Sequence, residues 1–220
     1  MEQSDLLIWA ETDLSELARR ELRELHRVLQ EFISRHPRFR DSLVPYEVPA
    51  GSPAVVVAMA EAARSFGVGP MAGVAGAVAD AVGRKLMPSS REVLVENGGD
   101  LFLATAVERK VGLFAGPSPL SGRLALRLPP FPQGVGLCTS SASVGPSLSL
   151  GRADAAVVLA DSAVEADAAA SLLGNLARRE EDIPAALEEL LSRPAVRGAL
   201  LVMGERVGAA GDLELASLDG

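Results

Sequence analysis

The spacing of apolar residues changes at Pro88, and this change constrains the fold more than any other feature of the chain. Before Pro88, apolar side chains recur every three or four residues, which predicts helices. After it come short runs rich in Val, Leu and Ala, separated by Gly and Pro, which predict strands. The predicted strands are 93–96, 100–104, 111–115, 123–128, 134–139 and 155–160. Helices, then hairpin-like strands, then two more helices and a terminal hairpin predict an α+β fold with a largely antiparallel sheet and flanking helices.

Five helices are predicted from their apolar spacing and their end signals. Asp13 and Glu16 form a variant of the capping box at the start of the first helix, which is amphipathic. Ser162 and Glu165 form a second capping box, and Gly67 fits the end of a helix. The predicted helices are 14–33, 53–66, 71–86, 162–177 and 183–191, and the terminal hairpin joins 199–204 to 212–218 through a Gly-rich turn.

The helix predicted for 71–86 has a stripe that is almost without side chains. Gly73, Gly76, Ala79 and Gly83 fall three or four residues apart and share one face. Another group must therefore approach this backbone closely. Packing of the helix against a sheet explains the stripe, and so does a ligand that lies along it. The sequence leaves both explanations open.

The composition excludes several classes of partner. The chain has 220 residues, of which 48% are hydrophobic and 23% are charged. We therefore expect a single domain, with residues 1–50 forming an N-terminal helix and linker packed on the main body. The formal net charge is −8 and no basic block offsets it, which argues against nucleic acid or an anionic membrane as a partner. Charged residues interrupt the longest apolar tract, 55–87, so no membrane span is predicted.

The cysteine and histidine counts limit the chemistry further. Cys138 is the only cysteine, so an intrachain disulfide is excluded, and with only two histidines a zinc site is close to excluded. Catalysis by Cys138 needs a base, but His26 and His36 lie on or beside the N-terminal helix, so we expect an inert, buried thiol. The first residues lack a leader pattern, which predicts a cytoplasmic protein.

Three segments have compositions typical of ligand sites. Residues 67–76 form a Gly-rich turn that runs into a helix start, where free amides favour an anion such as phosphate. Residues 96–100 read Glu-Asn-Gly-Gly-Asp, a turn with two carboxylates that is also typical of a solvated hairpin tip. The third segment begins at Cys138 and is rich in Ser and Thr at a strand end, which suits an oxyanion or a phosphate.

Asp167 and Ser171 are four residues apart, so they share one face of a late helix, among small alanines. A carboxylate and a hydroxyl on one face form half of a hard-cation site, because magnesium takes oxygen ligands and completes its shell with water and phosphate. A carboxylate that only offsets the positive start of its own helix explains Asp167 equally well.

Six separate motifs occur in an order that resembles an uncharacterised bacterial and archaeal family related to ApbE, the FAD-dependent flavin transferases. The resemblance covers nearly the whole chain. The motifs are Glu11-Thr12-Asp13-Leu14, His36-Pro37-Arg38-Phe39, Gly67-Val68-Gly69-Pro70-Met71-Ala72, Val95-Glu96-Asn97-Gly98-Gly99-Asp100, Cys138-Thr139-Ser140-Ser141 and Ala166-Asp167-Ala168-Ala169-Ala170-Ser171.

The resemblance implies an ApbE-like fold with FAD in a central cleft, magnesium at the pyrophosphate, and transfer of FMN to a Ser or Thr of an acceptor protein. It implies magnesium ligands at Asp167, at the hydroxyl of Ser171 and at a main-chain carbonyl near Val74. The positions that it implies for flavin contact are Asn97, Gly98, Gly99, Asp100, Thr139, Ser140, Gly69 and Met71.

Four positions depart from the family pattern. Ala142 stands where the near family has Gly, and Pro146 stands where it has His. Ser171 replaces the usual Thr, and Ala75 stands where flavin transferases have Lys. Loss of a histidine and a lysine bears most on catalysis, whereas Ser in place of Thr keeps the oxygen ligand.

The sequence leaves three functions open. The first is a protein that binds a flavin or another pyrophosphate-containing nucleotide with magnesium and transfers the flavin or nucleotidyl group. The second is a non-catalytic ligand-binding or interaction protein on the same fold. The third is a biosynthetic enzyme that uses the same cleft for another substrate. The amphipathic N-terminal helix also leaves a homodimer open.

Overall fold

The computed structural model describes residues 4–141 and 152–218, and these residues form helices and strands grouped as the sequence predicts. The helices are α1 (Ser15–Arg35), α2 (Pro37–Asp41), α3 (Ala54–Phe66), α4 (Val74–Leu86), α5 (Ala163–Leu176) and α6 (Ile183–Leu191). The strands are β1 (Leu6–Ala10), β2 (Val93–Asn97), β3 (Asp100–Thr105), β4 (Arg109–Gly112), β5 (Leu124–Leu128), β6 (Phe131–Ser140), β7 (Ala155–Ala160), β8 (Val196–Met203), β9 (Arg206–Gly211) and β10 (Glu214–Ser217). The predicted α+β class is confirmed.

Seven strands form one antiparallel sheet, in the order β1-β2-β3-β6-β7-β8-β9. The other three form a smaller antiparallel sheet, in the order β10-β5-β4. The first strand of the chain lies at the edge of the larger sheet, where Leu6 is opposite Asn97 of β2. The sheet is therefore completed by residues that are far apart in the sequence.

The larger sheet is covered on both faces. β3 and β7 are buried at every position, as expected for central strands between two layers. Phe102 packs into the core formed with the helices, whereas its neighbours Leu101 and Leu103 pack into a second core with residues of the smaller sheet. Alternate residues of one strand thus serve two separate cores.

The stripe of small residues on α4 is explained by packing. A Cβ added at Gly76 would lie 2.1 Å from the main-chain oxygen of Ala163 on α5. A Cβ added at Gly83 would lie 2.0 Å from the ring of Phe102 on β3. One glycine thus allows a helix to approach, and the other allows an aromatic ring to do so. Protein groups, and not a ligand, occupy the space beside this stripe.

Helices α4, α5 and α6 pack directly on the larger sheet, and α1 and α3 pack against α4 and α5. Leu25 and Leu29 of α1 are buried in the same core as Val82 and Leu86 of α4. Among the described residues, no single helix is long and apolar enough to cross a membrane; α3 and the helical stretch after it satisfy length and composition only as a pair bent by 108°.

Some local predictions are confirmed and others are wrong. The N–H of Glu165 donates to Oγ of Ser162 at 3.3 Å, so Ser162 caps α5, but the Glu165 carboxylate accepts from the Ser162 hydroxyl and so only half of the predicted capping box forms. The first predicted capping box does not form: Leu14 is the cap of α1, and Asp13 accepts hydrogen bonds from the N–H and hydroxyl of Ser15 instead. The Asp13 carboxylate bonds to Ser15, two residues further on, in a local turn, and it is therefore not used as the cap of α1.

The C-terminal strands and the first strand also differ from the prediction. β8 and β9 form the last hairpin, and β10 leaves it to pair with β5 of the smaller sheet. β1 was not predicted, because a five-residue apolar run beside charged residues gives little periodic signal. The helix predicted for 71–86 begins as a 3-10 turn at Pro70–Gly73 and becomes α-helical at Val74.

Candidate functional site

Four elements meet at one end of the larger sheet: the turn between β2 and β3, the end of β6, the start of α4 and the second turn of α5. Strand pairing brings the turn beside β6, because Leu101 is opposite Leu137. Nδ2 of Asn97, at the end of β2, donates a hydrogen bond of 3.1 Å to the main-chain oxygen of Ala75. This bond ties the turn to the first residues of α4.

Asp167 lies on α5 and caps the start of α4. Its Oδ2 accepts a hydrogen bond of 2.9 Å from the main-chain N–H of Gly76, and the N–H of Ala75 is a second donor. Gly73, which precedes α4, has no side chain for this purpose. Asp167 therefore satisfies amides that a helix start leaves free. The interpretation that Asp167 offsets its own helix start is wrong about the partner, because the helix that it stabilises is α4.

The surroundings of Asp167 disfavour its charged form. Burial, and then the charge of Asp100, raise the pKa of Asp167 well above its ordinary value. The hydrogen bonds from Gly76 and Ala75 oppose this shift but do not cancel it. Two carboxyl groups from different elements are thus close enough to interact inside the protein.

Asp100 begins β3 and is only 6% exposed. Its Oδ1 is the one buried side-chain oxygen or nitrogen that has no hydrogen-bond partner among residues 4–141 and 152–218. Burial raises the pKa of Asp100 to about 7, with a further contribution from Glu96, while hydrogen bonds from Cys138 and from the N–H of Thr139 act to lower it. A buried carboxylate with a free oxygen is costly unless a proton or a cation reaches it.

Cys138 is fully buried near both carboxyl groups. Its Sγ lies 3.3 Å from the main-chain oxygen of Ala163, so its single proton is shared between this oxygen and Asp100 as alternative acceptors. Burial and the charges of Asp100 and Asp167 raise the pKa of the Cys138 thiol. A thiol that stays protonated is a poor nucleophile, which agrees with the expected inert cysteine.

The turn and the strand end expose several of the predicted site residues. Gly98 and Gly99 are exposed and have φ of +65° and +103°, a region that favours glycine. Oε1 of Glu96 accepts a hydrogen bond of 2.9 Å from the N–H of Gly99, which closes the turn. At the end of β6, Thr139 is half-buried and Ser140 is buried. Only part of this set is therefore accessible to a ligand.

The structure places three other predicted residues in packing positions. A Cβ added at Gly69 would lie 1.9 Å from the main-chain oxygen of Ser42, so this glycine admits the linker before α3. The side chains of Met71 and Val74 are partly buried against the helical core. Val74 therefore has only its main chain available for the implied ligand role. Ser171 is half-buried, one turn after Asp167.

The carboxyl pair fits a hard cation, although it does not form a metal site alone. Across the described parts of the chain, no three His, Cys, Asp or Glu side chains are grouped so that they could hold a metal ion. A cation would rest on Asp100 and Asp167, with hydroxyl, main-chain, water or phosphate oxygens as its other ligands. It would offset the charge that raises the pKa of Asp167 and would satisfy the free oxygen of Asp100. Oxygen ligands of this kind suit magnesium.

Comparison with known proteins identifies the family. The model of the family described as AbpE bacteria matches residues 1–205. The chain belongs to this family. A UPF0280 protein of Methanocella arvoryzae is 43% identical over 186 residues, which cover 84% of this chain and 76% of that protein. A UPF0280 protein of Methanosarcina barkeri is 38% identical over 199 residues, covering 89% and 78%. The resemblance seen in the six motifs is confirmed.

Solved structures show which fold the AbpE family shares. The ApbE protein of Thermotoga maritima superposes with a TM-score of 0.51 at 15% identity, and the match covers 66% of this chain but only 51% of that one. The flavinyl transferase ApbE of Pseudomonas stutzeri, in its apo form, gives a TM-score of 0.50 at 12% identity, and the match covers 96% and 95%. This AbpE-family chain has the ApbE fold, and the match spans about half of the Thermotoga protein.

Sequence reasoning missed how α4 and α5 are joined beside the site. Oδ1 of Asp80 accepts a hydrogen bond of 3.2 Å from the N–H of Ala163, and its Oδ2 pairs with Arg84 at 2.9 Å. One turn earlier, Gly76 and Asp167 join the same helices. Gly76 carries the signal for this contact, because a Cβ there would lie 2.7 Å from Cβ of Asp167.

Proposed function

We propose that this AbpE-family protein binds FAD together with magnesium between Asp100 and Asp167, and that it transfers the FMN group to a hydroxyl of an acceptor protein. The observation that carries the proposal is the buried Oδ1 of Asp100, which has no partner among the described residues. It lies in a site where burial also disfavours the charge of a second carboxyl group. A magnesium ion bound to phosphate supplies the positive charge that this pair lacks.

The predicted residues have roles in this proposal, except for Gly69 and Met71, which lie in packing positions. Asp100, Asp167 and the hydroxyl of Ser171 would hold the cation, with a main-chain oxygen near Val74 as a further ligand. Magnesium would neutralise the pyrophosphate and stabilise charge on the leaving oxygen. The proposed flavin-contact positions are Asn97, Gly98, Gly99, Thr139 and Ser140.

The start of α4 has no free amides for a phosphate at Ala75 and Gly76. The N–H groups of Ala75 and Gly76 already donate to Asp167. A phosphate would have to displace that carboxylate in order to use them. We therefore expect phosphate to reach the site through the cation and the exposed turn, and not through the amides of this helix.

Transfer requires one bond to form and one to break. The acceptor oxygen would bond to the phosphorus of the FMN group, the bond from that phosphorus to the bridging oxygen would break, and AMP would leave with that oxygen. The hydroxyl proton would go to a base. The chain has Ala75 in place of lysine, while Pro146 and Ala142 lie outside the described residues. Binding and transfer are therefore tested separately.

Binding is tested by titrating the protein with FAD, with and without magnesium, and following flavin fluorescence. Asp167→Asn keeps an oxygen that accepts from Gly76 but removes the charge. We therefore expect magnesium-dependent binding to be at least about tenfold weaker. Asp167→Ala also removes the cap of α4, which costs about 1 kcal/mol of stability. Equal FAD affinity for the wild type and Asp167→Asn would contradict the proposed cation site.

Two further variants calibrate this titration. Ser171→Ala should weaken binding less than Asp167→Asn, because water replaces a neutral oxygen ligand more easily than a charged one. Asp161→Asn is the matched control, since Asp161 is exposed just before α5 and pairs with Arg197. It should leave FAD affinity unchanged.

Transfer is tested by incubating the protein with FAD, magnesium and a lysate, then searching a denaturing gel for covalent flavin fluorescence. A fluorescent second protein supports transfer. Flavin binding without such a band would favour a non-catalytic binding protein, and a colourless protein with no thermal shift on adding FAD would favour a biosynthetic enzyme with another substrate. The cytoplasmic location, the single-domain organisation and a homodimer stay predictions.

A further inference from the structure

The outer edge of β1 is open in the larger sheet. β1 pairs with β2 along one edge, and no strand among residues 4–141 and 152–218 pairs with the other. Edge strands present unpaired N–H and C=O groups, and natural proteins usually protect them with charged residues, proline or a bulge. The sequence of β1, Leu-Leu-Ile-Trp-Ala, contains none of the protecting residue types.

A groove of about 840 Å³ follows this edge between β1 and α1. All five residues of β1 line it, and Ala18 and Leu22 of α1 lie across from them. Leu7 and Trp9 alternate with the half-buried residues of the strand and are 51% and 55% exposed. A strand added at this edge would therefore meet apolar side chains on both of its faces.

The ends of the groove are acidic. Asp5 precedes β1, Glu11 and Asp13 follow it, and all three line the groove. Arg19 also lines it, but its guanidinium is paired with Glu16 at 2.6 Å. An occupant with basic residues at both ends of an apolar stretch would complement this charge.

The same charges disfavour a second copy of this chain as the occupant. In a symmetric antiparallel pairing about Ile8, Asp5 of one copy would be opposite Glu11 of the other. Like charges would then meet at both ends of the added strand, which is destabilising. The acidic ends therefore favour a partner with basic flanks over a second copy of this chain.

We propose that the outer edge of β1 binds an extended segment of another protein, in which alternating apolar residues are flanked by Lys or Arg, and that the segment adds an eighth strand to the larger sheet. The proposal stands on β1 and α1 and does not depend on flavin binding. Because β1 and β2 lie between this edge and β3, the segment would lie three strand spacings, about 14 Å, from the strand of Asp100.

Trp9 provides a direct test, because it is the only tryptophan of the chain and is half-exposed at this edge. The probe is a short peptide, Lys-Lys-Val-Thr-Val-Thr-Val-Lys-Lys. We expect a saturable blue shift of Trp9 emission and slower hydrogen exchange of β1 amides. A peptide with proline at its central position should not produce either effect, since it cannot extend the strand. A peptide with Glu in place of Lys should bind at least about tenfold more weakly.

Matched variants separate this edge from other apolar surface. Leu7→Lys keeps Trp9 and places a cation beside the cationic peptide, so binding should weaken about tenfold. Leu215→Lys changes a leucine of similar exposure on β10 and should leave binding unchanged. Absence of a Trp9 shift, or equal binding of the proline peptide, would overturn the proposal. A stable dimer with protected β1 amides in the protein alone would overturn it in favour of a second copy.

Discussion

Glu92 and Asp100 are carboxyl groups at opposite ends of the same β2–β3 hairpin, and they differ in how the protein satisfies them. Oε2 of Glu92 accepts hydrogen bonds of 2.6 Å from both the Thr105 hydroxyl and the Arg109 guanidinium, and its Oε1 accepts one of 2.8 Å from the N–H of Ala106. Asp100 has a buried oxygen without a partner among the described residues.

The contrast also appears in the acidity of the two groups. Burial acts to raise the pKa of Glu92, but the hydrogen bonds from Thr105, Arg109 and Ala106 outweigh it, and the pKa is lowered. Burial raises the pKa of Asp100 to about 7, because its donors are too few to offset it. A satisfied carboxylate stabilises the fold, and an unsatisfied one is poised to take a proton or a cation.

The largest expected effect is on Glu92. Glu92→Ala leaves Thr105 and Arg109 without their acceptor in a partly buried place, so the free energy of unfolding should fall by about 2–3 kcal/mol. Urea denaturation followed by circular dichroism measures it. FAD binding should not change. A loss below about 0.5 kcal/mol would show that this end of the hairpin is not held by its charge.

Asp100→Asn should show the opposite pattern. It removes a charge whose burial is uncompensated, so the unfolding free energy at pH 7 in metal-free buffer should stay the same or rise by about 1 kcal/mol. Magnesium-dependent FAD binding should weaken about tenfold or more, which corresponds to about 1.4 kcal/mol. Fluorescence titration and urea denaturation of the same sample measure the two effects. A large loss of stability with normal binding would reverse the roles given to Asp100 and Glu92.

Thr105→Val sharpens the comparison with a nearly isosteric change. Thr105 is fully buried, and its hydroxyl donates to Glu92 and accepts from the N–H of Val107. Valine fills the same space without these bonds, so the unfolding free energy should fall by about 1–2 kcal/mol. If Thr105→Val is as stable as the wild type, then Arg109 and the N–H of Ala106 satisfy Glu92 without the Thr105 hydroxyl.

The smallest expected effect is a pH dependence. Because the folded pKa of Glu92 lies below the ordinary value of 4.5, its stabilising contribution is fully present above about pH 4.5 and is lost as the pH falls through the folded pKa. The difference in unfolding free energy between the wild type and Glu92→Gln should therefore be constant from pH 7 to about 5 and shrink below about 4. A difference that grows on acidification would contradict the sign of this shift.

Local sequence signals predicted the elements where one physical cause dominates. The ends of β7 and α6 follow from apolar runs with clear stops, and Ser162 caps α5 because its hydroxyl needs only a neighbour three residues away. The stripe on α4 predicted a close approach but not the approaching group. Ala163 and Phe102 reach it from distant segments, and only the tertiary fold brings them there.

The candidate site divides in the same way. The turn at Asn97 and the late helix of Asp167 were found as motifs, because glycines and spaced oxygen ligands leave a local pattern. The hydrogen bond from Gly76 to Asp167 and the free oxygen of Asp100 were not predictable. They depend on the relative position of α4, α5 and β3, which no single segment encodes.

The edge position of β1 has a consequence for the order of events during synthesis. Leu6 cannot pair until Asn97 has been made, and translation at about 5–20 residues per second sets a delay of roughly 5 to 18 s between the two. Throughout that interval the Leu-Leu-Ile-Trp-Ala segment has no sheet to join. Nascent chains on one messenger RNA therefore expose the same apolar, aggregation-prone segment to one another. Chaperone demand should therefore concentrate on the earliest part of this chain to be made.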